Sequence, residues 1–173
     1  MGIQLGIIGY GGMGGFHHRN ASRIEGVQVI GAYDTDPVRV HAAEKNGIKG
    51  FSTLEELLSC DEINTVLVAV PNDKHMELCV EAANAGKHVI CEKPVAMNVR
   101  ELDQMIAAAG RNGKIFTVHQ NRRWDKDFRI VKKILDSGEL GKVYSIQSRL
   151  HGSGGVMFGW RGEKKHGGGM LYD

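Results

Sequence analysis

Short apolar runs and longer amphipathic stretches alternate along this chain. Ile3–Ile8 is an apolar run closed by Gly9, and Val27–Tyr33 is a second run closed by Asp34. Runs of this kind predict strands covered on both faces. Residues 65–70, apolar and rich in β-branched side chains, predict a third strand. His88–Cys91 and residues 115–119 predict two more. Helical patterns fill the intervals. Residues 13–24 predict the first helix, and residues 37–46 the second, with Pro37 at its first position and Gly47 after it. Ser52-Thr53-Leu54-Glu55 reads as a capping box opening a short helix to Leu58. Met76, Cys79, Val80 and Ala83 follow the i, i+3, i+4, i+7 stripe of a helix ending at Gly86. Asn98 caps a further helix with Leu102, Met105, Ile106 and Ala109 on its apolar stripe and Gly113 at its end. Strict alternation with short turns predicts the α/β class, a doubly wound parallel sheet with helices on both faces.

The pattern changes after residue 121. Residues 125–136 predict a helix closed by Ser137-Gly138, and residues 143–150 a strand of mixed polarity suited to an antiparallel sheet. Glycines at 152, 154, 155, 159, 162 and 167–169 follow without a core signal. The chain is expected to divide into a doubly wound domain, 1–121, and the first helix and strand of an α+β unit, 122–173. That second unit reads as truncated, because one helix and one strand cannot bury a core of their own.

Composition narrows the function. Lys plus Arg is 22 against 20 Asp plus Glu, a formal charge of +2, too balanced for an electrostatic nucleic-acid binder. The basic pairs Arg122-Arg123 and Lys132-Lys133 are interleaved with Asp125, Asp127 and Asp136, which reads as a solvated helix face. Cys60, Cys79 and Cys91 form neither a CxxC pair nor an even framework, which favours a reducing cytoplasm. No apolar run approaches the roughly 18 residues that span a membrane, and the N-terminus lacks a basic region and a cleavage pattern. A cytoplasmic protein is expected. With 24 glycines but 3 prolines and no three-residue period, the glycine belongs in turns and phosphate loops.

One glycine cluster carries chemistry. Gly9-Tyr10-Gly11-Gly12-Met13-Gly14 matches GxGxxG, follows a predicted strand, opens a predicted helix and is followed by Asp34 at the end of the next strand. Those contexts turn a weak motif into a dinucleotide fingerprint. Gly9 permits the tight turn, Gly11 the approach of backbone to a pyrophosphate, and Gly14 close packing of helix on sheet. N–H groups near Gly12 and Met13, with the helix dipole, hold the anion. Asp34 accepts hydrogen bonds from ribose hydroxyls and repels a 2′-phosphate, so NAD is expected rather than NADP, although Arg39 lies near enough in sequence to reach a phosphate. His17-His18 invites a metal reading, but adjacent helical residues face different ways and no third ligand stands at a suitable spacing, so no metal is expected.

Five segments in order resemble the Gfo/Idh/MocA oxidoreductases: Gly9–Gly14, Val70-Pro71-Asn72-Asp73-Lys74-His75, Cys91-Glu92-Lys93-Pro94, Asn121-Arg122-Arg123-Trp124, and Trp160-Arg161 followed by residues 167–173. The resemblance implies a Rossmann domain, a second domain on a mostly antiparallel sheet, and pyridine-nucleotide-dependent oxidation or reduction of a sugar or polyol hydroxyl. Lys93 corresponds to the family's Glu-Lys-Pro lysine, which contacts the substrate hydroxyl and the nicotinamide ribose. An ammonium there lowers the energy of a forming alkoxide. Pro94 is expected to be cis. Pro71, Asn72 and His75 line the path from adenosine to nicotinamide, with Asn72 also placed to cap a helix. Glu92 and Arg161 are expected at the cofactor as well. Asp173 matches the aspartate that moves the substrate proton with a histidine, and that histidine would fall beyond the last residue. The family's chains run longer, so this one reads as a cofactor-binding portion, inactive alone and prone to form homo-oligomers through an unpaired strand. The alternative is a non-catalytic NAD-binding module acting as a sensor or co-regulator.

Overall fold

The apolar runs find one another. In a computed structural model, which describes residues 2–149 and 159–169, six strands form one parallel sheet. They are β1 (Ile3–Ile8), β2 (Val27–Tyr33), β3 (Lys49–Phe51), β4 (Thr65–Val68), β5 (His88–Cys91) and β6 (Phe116–Val118), in the order β3-β2-β1-β4-β5-β6. The order reverses between β1 and β4, which leaves a crevice at their carboxyl ends, where such sheets bind ligands. Six helices accompany the strands: α1 (Gly12–Ala21), α2 (Pro37–Lys45), α3 (Leu54–Leu58), α4 (His75–Asn84), α5 (Val99–Arg111) and α6 (Lys126–Ser137).

Alternate residues of each strand feed two cores. Ile8, Val66, Val68 and Val89 pack with Cys79 and Ala83 of α4 and Met105 and Ala109 of α5. Leu5, Ile7, Ala32 and Leu67 pack with Ala43 of α2. Ile7 and Ile8 are 0% and 1% exposed, which explains why β1 shows no polar alternation. Among the described residues no buried side-chain polar atom lacks a hydrogen-bond partner, and no helix is long and apolar enough to cross a membrane.

Four local expectations change. The capping box sits one residue later: Thr53 Oγ1 accepts from the Glu56 N–H, and the Glu56 carboxylate accepts from the Thr53 N–H. β3 was not expected, because Lys49-Gly50-Phe51 carries no run of its own and becomes a strand only by pairing with Gly31, Ala32 and Tyr33. The strand predicted over 65–70 stops at Val68; Ala69 still donates to the Ile8 carbonyl, but Pro71 has no N–H to continue a ladder. Residues 143–149 of the strand predicted over 143–150 form none, because a strand needs a partner and no described residue pairs with them; Leu150 lies outside the described residues.

Candidate cofactor and active site

The carboxyl edge of the sheet gathers most of the singled-out residues. Gly9 ends β1 at φ +91°, and a Cβ there would collide with the Ala69 carbonyl oxygen. A Cβ on Gly14 would collide with the Gly9 carbonyl oxygen, so the missing side chain lets α1 begin directly over the turn. The N-cap of α1 is Gly11, which offers no side-chain hydrogen bond, and no acidic residue stands in the first turn. The first N–H groups of the helix are therefore left for an anion.

Asp34 closes one end of this edge. Its side chain is 5% exposed. Oδ2 accepts from the Tyr10 N–H at 2.7 Å, and Oδ1 from the Asp36 N–H at 2.9 Å. These bonds aim the carboxylate, and Oδ1 keeps a lone pair for a ligand hydroxyl. The Arg39 guanidinium lies 3.4 Å from Asp34 Oδ2 and 3.6 Å from Asp36 Oδ2.

A crevice of about 880 Å³ runs from Asp34 to Lys93. Gly9, Gly11, Gly12 and Met13 form its floor, Val70 and Pro71 one wall, and Glu92 and Lys93 its far end. Trp160, Arg161 and His166 close it from the chain's last described segment. The Arg161 guanidinium lies over the Trp160 ring at 4.5 Å. His166 Nδ1 meets Asp73 Oδ1 at 2.9 Å, and the Asn72 amide donates to the Gly167 carbonyl at 3.1 Å. The bare glycine cradle, the uncapped helix start and the buried carboxylate fit a dinucleotide.

Two expectations need correction. Asn72 and His75 do not face the crevice; they stand behind its wall, 1% and 0% exposed. Asn72 makes no side-chain cap: it is the first residue of a short 3-10 turn whose N-cap is Pro71, and its amide donates to the Gly167 carbonyl. Both ring nitrogens of His75 face carbonyl oxygens, Nδ1 that of Pro94 at 2.8 Å and Nε2 that of Val70 at 3.0 Å. Two carbonyl acceptors call for two N–H donors, the imidazolium form. Burial lowers the His75 pKa, but the Cys91 thiol and the two carbonyls outweigh it, and the net direction is up. The Lys93-Pro94 bond is cis, as the resemblance implied. Asp173 lies outside the described residues.

The sequence did not reveal one constellation. His17 and His18 do face different ways: His18 Nδ1 meets the Tyr10 hydroxyl at 2.7 Å, and burial, then the Arg19 charge, lower its pKa. His17 points inward to Glu92, and His119, just past β6, joins them. The three ligand-type atoms lie within 4.8 Å of one another. Spacing along one helix could not supply partners for His17, because both come from distant strand ends. The available signal was that Glu92 and His119 each follow a strand at the ligand-binding edge.

Comparison with known proteins gives a consistent picture. The model of the oxidoreductase family with an NAD-binding Rossmann fold matches residues 3–120, and that of the GFO/IDH/MocA C-terminal domain matches residues 128–173. An inositol 2-dehydrogenase of Salmonella typhimurium is 32% identical over 161 residues, 90% of this chain and 48% of that protein. The crystal structure of an NAD-binding protein from Listeria innocua superposes with a TM-score of 0.96 at 43% identity, covering 100% of this chain and 51% of that one. The WlbA dehydrogenase of Bordetella pertussis, in complex with NADH and UDP-GlcNAcA, superposes at 0.77 with 28% identity over 83% of this chain and 42% of that one. The chain thus spans about half the length of these relatives or less.

Proposed function

The chain belongs to the Gfo/Idh/MocA oxidoreductase family, and from that membership we propose that it holds NAD for a dehydrogenase acting on a sugar- or polyol-type hydroxyl. The observation that carries the reading is the single crevice joining Asp34, the glycine loop and Lys93. The start of α1 binds the pyrophosphate, and Asp34 takes the ribose hydroxyls. The bound nicotinamide supplies hydride acceptance or donation. Lys93 places an ammonium beside the substrate oxygen, where it stabilises developing alkoxide charge. Arg161 and Trp160 close the crevice against water. Asp173 is proposed, on the resemblance, as the partner acid/base group. Residues 1–121 form the cofactor domain and 122–173 the start of the substrate domain. The free thiols Cys60, Cys79 and Cys91 support a reducing, cytoplasmic setting.

The test combines calorimetric titration of NAD⁺ with turnover of inositols and aldoses by the gene product. Lys93→Ala should lower turnover by about 10²–10⁴-fold, the usual range for a lost proton-transfer or charge-stabilising group, while NAD⁺ affinity is nearly kept. Unchanged turnover would remove Lys93 from the chemistry. A wild-type chain that does not bind NAD⁺ would sink the whole reading.

A further inference from the structure

We propose that His17 and His119 are positioning residues for Lys93, acting through the carboxylate of Glu92. The inference rests on the dehydrogenase reading and adds the groups that hold its lysine turn in place.

Three segments meet at Glu92. Oε1 accepts from His17 Nε2 at 2.5 Å and from His119 Nδ1 at 3.0 Å, while Oε2 accepts from the Lys93 backbone N–H at 3.1 Å. His17 comes from α1, the helix that opens on the phosphate loop; Glu92 follows β5 and His119 follows β6. The two imidazoles cross edge to face at 4.6 Å between centroids. An ionised carboxylate only accepts hydrogen bonds. His17 therefore carries its proton on Nε2 and His119 on Nδ1. The Glu92 side chain is 7% exposed, so its charge depends on these donors. Burial pushes its pKa up, but the His17 bond and the charges of His119 and His17 outweigh burial and hold it below the usual carboxylate value.

Pro94 has no N–H to donate. Its carbonyl is held from the far side by His75 Nδ1. The Lys93-Pro94 segment is thus fixed at its N–H by Glu92 and at its carbonyl by His75. Without His17 or His119, the Glu92 carboxylate is under-compensated. It then takes up a proton or turns toward the crevice, and the Lys93 N–H loses its acceptor. The same trio does not read as a metal centre. A zinc ion with bonds of about 2.0–2.2 Å holds its ligand atoms about 3 Å or more apart, and the His17–Glu92 contact is a direct hydrogen bond.

Two-bond ¹H–¹⁵N spectra of the histidine-labelled chain report which ring nitrogen is protonated. The expected pattern is Nε2–H for His17 and Nδ1–H for His119, the latter being the tautomer that free imidazole populates less. Calorimetry with NAD⁺ then compares two variants. His119→Leu, with no donor, should weaken NAD⁺ about 3- to 10-fold, part of one hydrogen bond to a charged group, because it shifts the backbone of the turn at the end of the crevice, which Lys93→Ala leaves in place. His119→Asn, whose amide N–H replaces Nδ1–H, should restore most of that loss. A purely structural role would not distinguish the two by their donor. An Nε2–H tautomer for His119, full NAD⁺ affinity in His119→Leu, or a shift of both imidazole signals on adding equimolar Zn²⁺ after chelator treatment would each overturn the proposal. If the wild-type chain fails to bind NAD⁺, the dehydrogenase reading falls, while the tautomer spectra still decide whether the Glu92 clamp exists.

Discussion

At Gly14 the absence of one carbon decides where a helix begins. Its Cβ would enter the Gly9 carbonyl oxygen, so Gly14→Ala must push α1 away from the turn. The expected cost is about 1–3 kcal/mol, as for other overpacked sites, with weaker NAD⁺ binding in the same titration; an unchanged melting temperature would contradict the close fit. Glu92 and His75 give opposite pH signatures. The Glu92 pKa is lowered by folding. Its contribution is therefore present above the unfolded value near ~4.3 and disappears as pH falls through the lower folded value. The His75 pKa is raised. Its contribution is complete below the unfolded value near ~6.5 and disappears as pH rises through the folded value. The melting temperature of the wild type should fall more steeply than that of Glu92→Gln as pH drops below about 5; parallel curves would show that Glu92 is not held ionised.

At the scale of elements, the ends of β1, β2 and β5 and the cap of α5 were legible, whereas β4 and β6 run shorter than expected and the cap of α3 falls one residue later. Asn98 accepts from the Glu101 N–H at 3.1 Å, so α5 starts where the sequence said it would. Asn98→Ala should cost about 1 kcal/mol, read as a lower melting temperature; Asn98→Asp should keep most of it. No change on Asn98→Ala would mean that packing alone sets the start of α5. Lys87 is the element-scale feature with no sequence signal. Its ammonium donates to the carbonyls of Cys60 and Ile63 at 2.9 and 2.7 Å, tying the α4–β5 turn to the segment between α3 and β4. Burial, the largest influence, lowers its pKa, with the nearby Cys60 and Asp61 opposing.

At the scale of the whole molecule, the described chain carries a covered sheet and an uncovered helix. Phe128, Ile130, Val131 and Ile134 of α6 are 42–49% exposed, and Val143, Tyr144 and Ile146 follow them at 40–87%. An apolar stripe of this kind marks an interaction surface. We expect this chain, handled alone, to self-associate through it. Light scattering should show a mass that rises with concentration, and Val131→Glu with Ile134→Glu should return it toward the monomer. A concentration-independent monomer would remove the expectation of a homo-oligomer.

The sequence by itself determined the α/β alternation, five of the six strands, and the glycine loop with Asp34. Each of these is set by local physics: apolar runs for buried strands, bare glycines where backbone must approach closely, and polar caps at helix starts. Tertiary structure decided the rest. β3 exists because β2 is beside it, and residues 143–149 form no strand because nothing described pairs with them. Asn72 and His75 turn away from the crevice because their polar atoms find closer carbonyls. His17, Glu92 and His119 meet only because α1 starts, and β5 and β6 end, at one edge of the same sheet. Hydrogen bonds spanning 75 and 27 residues leave no periodicity in the chain, so only the folded geometry could bring them together.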